Sequence, residues 1–113
     1  MQREPAAVWR NGRLADLHRQ AKADAERIVA FISDIYRPTR ILQWGSVLEP
    51  ELFREYSDID IAVEGITDAE TFFSLLSDAE KMTEFPVDIV QLERIEPEFR
   101  ELLMQKGLIV YER

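Results

Sequence analysis

Cysteine is absent from this chain of 113 residues, which excludes disulfides and thiolate metal sites and suits a reducing cytoplasm. Basic charge is also short: 14 Lys and Arg stand against 22 Asp and Glu, a net charge of −8. General binding to a nucleic-acid backbone needs clustered Lys and Arg, so no nucleic-acid partner is expected. No apolar run approaches the ~20 residues of a membrane span. The opening Met1-Gln2-Arg3-Glu4-Pro5 carries an acid and leads into no apolar stretch, so no signal peptide is expected either. Repeats, linkers and low-complexity segments are missing. Histidine occurs once, as His18 on a predicted helix, where a solvent-facing position and no role are expected.

What remains is the pattern of one small domain spanning 1–113, with an N-terminal helical segment at 1–38 and a core at 39–113. Such a length supports a single hydrophobic core but no added domain for a nucleotide base or an acceptor, so recognition is expected to come from a partner or a second copy. Leu14, Leu17, Ala21, Ala25, Ile28, Ile32 and Ile35 recur at helical spacing and predict an amphipathic helix over 13–36, ended by Pro38. Val8 and Trp9 precede it, as a flap on the core or a contact for another chain. Arg40 to Trp44 reads as a short strand turning at Gly45-Ser46. Residues 47–57 read as a loop with Pro50 opening a helical turn, and Asp58 to Val63 as a second strand. Thr67-Asp68-Ala69-Glu70 has capping-box spacing, and Phe72, Phe73, Leu75, Leu76 and Ala79 predict a well-buried helix after it. A third strand follows at Phe85 to Leu92, then a helix opened by Pro97, facing the core with Phe99, Leu102 and Leu103, and stopped by Gly107. Leu108 to Tyr111 closes the chain as a strand. The expected class is α/β, a small mixed β-sheet backed by helices, with carboxylates on its open face.

Those carboxylates carry the chemistry. In an extended chain Asp58 and Asp60 project from one side while Ile59, Ile61 and Val63 point to the other. Two acids so placed repel unless a cation lies between them, and magnesium is suited to one or two carboxylates with phosphate oxygens and water completing its shell. Asp88, between Val87 and Ile89, is a third acid in an apolar run; a charge buried there is costly unless paired or metal-bound, which favours a functional role. Backbone amides at Gly45, with the Ser46 hydroxyl, can approach phosphate oxygens. Ser57 is expected to position the strand entrance by local hydrogen bonding, and Trp44 to pack beneath the turn.

Gln43-Trp44-Gly45-Ser46, then Tyr56-Ser57-Asp58-Ile59-Asp60-Ile61-Ala62-Val63, then Pro86-Val87-Asp88-Ile89-Val90, and a tail from Glu96 to Glu112 together resemble the nucleotidyltransferase superfamily that includes DNA polymerase β. The likeness is greatest to its minimal nucleotidyltransferase members, known as antitoxin partners of HEPN-domain toxins. The resemblance covers 39–113. It implies a polymerase β-like nucleotidyltransferase fold. It also implies Mg2+ held by Asp58, Asp60 and Asp88, ATP as substrate contacted by Gly45, Ser46 and Ser57, and AMP transfer to a hydroxyl of a HEPN toxin in the cytoplasm. Asp88 would complete a metal site and take the acceptor's proton. In many members a basic, small, basic, glycine stretch follows the Gly-Ser pair. Here Val47-Leu48-Glu49-Pro50 stands instead, with Arg54 as the only basic residue of the loop. That departure motivates a rival reading, an antitoxin of the same fold that acts by binding alone. Transfer to a small molecule of the aminoglycoside type is a third, disfavoured by the lack of an acceptor-binding domain. A homo-oligomer is compatible with all three.

Overall fold

The computed structural model describes residues 6–55 and 57–113, with side chains from residue 12 onward; Tyr56 and the side chains of Val8 and Trp9 lie outside the described residues. Helix α1 (Ala6–Ile35) begins earlier than residue 13. Hydrophobic periodicity marks only the turns that need a buried face, whereas good helix formers extend an existing helix without one. Ala21, Ala25, Ile28 and Ile32 are fully buried, but Ile35, assigned to the same stripe, is 62% exposed. The helix ends as the amides of Tyr36 and Arg37 both donate to the Ile32 carbonyl, Arg37 takes a positive φ of 49°, and Pro38 follows buried.

Strands β1 (Arg40–Trp44), β2 (Ile59–Glu64), β3 (Val87–Gln91) and β4 (Leu108–Glu112) form one mixed sheet in the order β3-β2-β1-β4. β1 pairs antiparallel with β2 and β4, while β2 and β3 run parallel. Parallel neighbours need a crossover, and α2 (Ala69–Glu80) supplies it. Its N-cap is Asp68, whose carboxylate accepts the Thr71 amide at 2.9 Å. The helix therefore starts one residue after the expected capping box, on the better capping side chain. Nor is α2 buried throughout: Leu75 and Ala79 face the core, whereas Phe73 is 63% exposed.

The two faces of the sheet have different fates. Ile41, Ile59, Ile61, Val63 and Ile89 join the α1 and α2 residues Ala21, Ala25, Ile28, Ile32, Leu75 and Ala79 in the larger core. On the opposite face Leu42, Ala62 and Leu92 pack with Leu103 of α3 (Pro97–Lys106), flanked by Trp44, Val90 and Ile95. α3 covers that face only in part: Phe99 and Leu102, expected in the core, stay 37% and 44% exposed. Gly107 ends α3 as expected but in extended conformation, φ −76°. Glycine suits the position because a Cβ would come within 2.6 Å of the Leu103 carbonyl oxygen.

Between β1 and β2 the loop is folded onto α1. Pro50–Leu52 forms a single 3-10 turn, and Phe53, 2% exposed, packs edge-on against His18 and Phe85 with ring centroids 5.2 and 6.2 Å apart. His18 is thus not solvent-facing. It is half-buried, with Nε2 2.7 Å from the Val47 carbonyl oxygen. One helical period could place it on either flank of the stripe, and the incoming loop decided which.

Candidate active site

Asp60 and Asp88 are direct partners across the parallel β2–β3 pair, and Trp44 is the partner of Asp60 on the antiparallel side. Strand alternation puts all three on the face that carries Ala62, Val90 and Leu42, where α3 packs. Asp58, two residues before Asp60, lies just outside the end of β2 on that face. The three acids thus gather where β2 and β3 begin, beside the end of β1.

Gly45 adjoins them directly. Its φ is 87°, and the Asp60 carboxylate fills the space that a side chain on Gly45 would take. This glycine therefore does more than turn the chain: it lets a carboxylate lie against the backbone at the end of β1. The turn continues with the amides of Leu48 and Glu49 donating to the carbonyls of Gly45 and Ser46, both at 3.1 Å. The amides of Ser46 and Val47 have no protein acceptor among the described residues.

Burial, then Asp88, then Asp58 push the Asp60 carboxyl up to about 7. Asp88 itself is exposed, contrary to the expectation of a buried charge. Val87 and Ile89 flank it in sequence but point to the other side of β3, so apolar neighbours at ±1 do not bury a strand residue. The charge strain is concentrated at half-buried Asp60, with a sign that can be measured. A carboxyl whose folded pKa exceeds its unfolded value near 3.8 binds more protons when folded, so stability falls as pH rises from about 4 to about 7 and the full cost persists above that. Asp60→Asn should therefore raise the melting midpoint of the ligand-free protein at pH 8, on the order of 1–2 kcal/mol after discounting for solvent screening. The advantage should shrink steadily toward pH 5. A constant difference across that range would show that Asp60 is not under charge strain.

These oxygens suit a hard divalent cation. A negative charge crowded by two others is what such an ion relieves, and the donor set contains no softer ligand. Among the described residues, no three His, Cys, Asp or Glu side chains converge closely enough to enclose a metal unaided. An ion at these acids would therefore have to take much of its shell from phosphate oxygens and water.

The other expected site residues are placed as follows. Ser46 lies half-buried in the Gly45 turn. Ser57 closes a local turn before β2, its Oγ accepting the Arg54 amide at 2.8 Å and its own amide donating to the Arg54 carbonyl at 3.0 Å. Its hydroxyl is thus engaged in the loop, as local positioning requires. Arg54 turns inward to its own loop, donating to the carbonyls of Glu51 and Phe53 at 3.2 and 2.8 Å. Trp44 is half-buried and meets Phe99 of α3 edge-to-face, with centroids 6.0 Å apart. Sequence reasoning placed Trp44 beneath the turn and missed that it borders the acids; strand parity relative to Asp60 carried that signal.

The family model described as polymerase beta, nucleotidyltransferase, matches residues 26–113. Among solved structures, the chain is similar to a crystal structure of the toxin-antitoxin MntA-HepT, at 20% identity and a TM-score of 0.61, over 80% of this chain and 72% of that one. It is also similar to a crystal structure of the toxin-antitoxin with AMP-PNP, at 23% identity and a TM-score of 0.65, over 79% of this chain and 73% of that one. No curated protein matches.

Proposed function

This chain belongs to the polymerase beta nucleotidyltransferase family, and from that premise we propose that it transfers AMP from ATP to a hydroxyl of a partner protein, acting as the cytoplasmic antitoxin to a HEPN-domain toxin. The observation that carries the reading is the placement of Asp60: in register with Asp88, preceded at two residues' distance by Asp58, and packed on Gly45. The similar toxin-antitoxin structures, one with HepT and one with AMP-PNP, support the choice of partner and nucleotide.

In this reading the Ser46 and Val47 amides and the Ser46 hydroxyl hold phosphate oxygens. Asp58, Asp60 and Asp88 hold magnesium, which when bound neutralises phosphate charge and orients the leaving group. Asp88, exposed at the rim, accepts the proton of the acceptor hydroxyl as that oxygen bonds to the α-phosphorus and the bond to the pyrophosphate oxygen breaks. Its exposure suits a proton acceptor that must meet a group on another protein. Asp60, half-buried against Gly45, is the acid least able to stay charged alone and the one most dependent on the cation. The full chain acts as one unit, since α1 contributes to the core that backs β1 and β2.

Ligand linkage tests the first half. Magnesium with ATP at about 100 times its dissociation constant should add about 2.7 kcal/mol of stability, a shift of roughly 10 °C in a domain of this size. Asp58→Asn with Asp60→Asn should abolish the shift, and an unmoved wild-type midpoint would reject the site. A second reading, binding-only neutralisation, is favoured by one feature: Val47-Leu48-Glu49-Pro50 supplies no cation and Arg54 is turned into its own loop. Mass spectrometry of a co-purified HEPN protein after incubation with ATP and magnesium separates the two. An added AMP mass supports transfer, and neutralisation with no added mass supports binding alone.

A further inference from the structure

An open groove of about 330 Å³ lies between the Gly45 turn and α3, walled by Trp44, Leu48, Phe99 and Leu103, with two charged side chains, Glu49 and Lys106, on its lining. Its size is within that of small-ligand sites, roughly 300–1,000 Å³. Trp44 ties the groove to the acids, being the cross-strand partner of Asp60, and Gly45 touches both. A molecule whose phosphates lie at Gly45 and the carboxylates therefore has its remainder beside an aromatic wall.

Charge gives the groove a second property. Arg40 and Arg100, near the same face, are both paired with Glu64, and Arg94 donates to the Thr67 carbonyl. Arg54, the one basic residue of the loop after Ser46, is held by its own carbonyls. Lys106 lines the groove and forms no ion pair among the described residues; Glu49, exposed on the same lining, forms none either, so Lys106 is the one cation of the lining. In a chain of net charge −8, a polyanion needs such a cation.

Building on the nucleotidyltransferase reading, we propose that this groove is the nucleotide subsite. The purine packs on the wall made by Trp44 and Phe99, and Lys106 of α3 supplies to the phosphates the positive charge that the 47–50 stretch lacks. Base-on-aromatic packing tolerates any purine, so the groove sets affinity more than it separates ATP from GTP.

The test uses the full chain with magnesium and two probes, ATP and inorganic tripolyphosphate, by calorimetry. Phe99→Ala should weaken ATP roughly tenfold and leave tripolyphosphate unchanged. Lys106→Gln should weaken both, roughly three- to tenfold, with a shallower salt dependence than wild type. In a Trp9→Phe background, where Trp44 is the only indole, saturating ATP should change the emission and tripolyphosphate should not. Phe99 and Lys106 are exposed, so both variants should keep the wild-type melting midpoint within a few degrees. Wild type that binds ATP while both variants bind it equally well, or an emission unmoved by ATP, would overturn the groove and leave the function standing. Wild type that binds neither probe would overturn both.

Discussion

Replacing Asp88 by Asn is expected to lower AMP transfer at least about 100-fold while leaving the fold and the partner complex in place. The substitution keeps the shape of the side chain and removes its capacity to take a proton. Asp88 is exposed and makes no hydrogen bond that the fold depends on among the described residues, so stability should not fall. Relief of its repulsion on Asp60 should make the ligand-free protein slightly more stable above pH 7. The measurement is the rate of AMP addition to the co-purified HEPN partner, with complex formation followed in parallel by size exclusion. Equal rates for Asp88→Asn and wild type would remove Asp88 from the chemistry. Loss of the complex would instead make Asp88 a contact residue.

Gly45→Ala should have the largest effect on stability. At a φ of 87° any L side chain carries strain of about 1–2 kcal/mol, and here the added Cβ also meets the Asp60 carboxylate. Overpacking of that kind costs a further ~1–3 kcal/mol. The sum, about 3 kcal/mol, corresponds to a fall in midpoint on the order of 10 °C for a domain of this size. Since the two costs have separate origins, Asp60→Ala in the same chain should recover the overlap but not the backbone strain. A double-mutant cycle should then show coupling of about 1–2 kcal/mol between positions 45 and 60. Additive effects would mean that the carboxylate does not lie against the glycine.

Much of this arrangement could be read from residue order. Ile41-Leu42 before Gly45 mark β1 at both of its ends, and the parity of Asp58 and Asp60 against Ile59 and Ile61 puts the acids on the opposite side from those isoleucines, although that face is not fully open, since α3 packs on it through Leu103. Where the reading failed, the deciding force came from outside the local segment. Asp88 reads as buried from its neighbours in sequence, although alternation sends those neighbours to the far side. His18 reads as solvent-facing because no local rule anticipates a loop some 30 residues on, where Val47 offers a carbonyl and Phe53 a ring. Phe73 looks like core by composition, yet α2 meets the sheet through Leu75 and Ala79 and leaves the ring outside. The groove at Trp44 needed α3 in place, and the packing of α3 depends on Leu42, Ala62 and Leu92 arriving from three separate parts of the chain.

The parallel pairing of β2 with β3 has a consequence for how folding errors would show themselves. Asp60 faces Asp88 in one alignment only, pinned at its ends by the Ile59 amide on the Pro86 carbonyl at 2.9 Å and the Leu92 amide on the Val63 carbonyl at 2.8 Å. A slip of one residue would turn β3 over, sending Asp88 toward α1 and α2 and Ile89 to the face that α3 covers in part. No partially aligned species would retain a weakened centre, so the carboxyl pair behaves as a vernier for strand alignment. Substitutions that loosen β3, such as Ile89→Ala, should reduce the number of competent molecules while each survivor works at the full rate. In a titration of active sites that pattern is distinct from a uniform slowing.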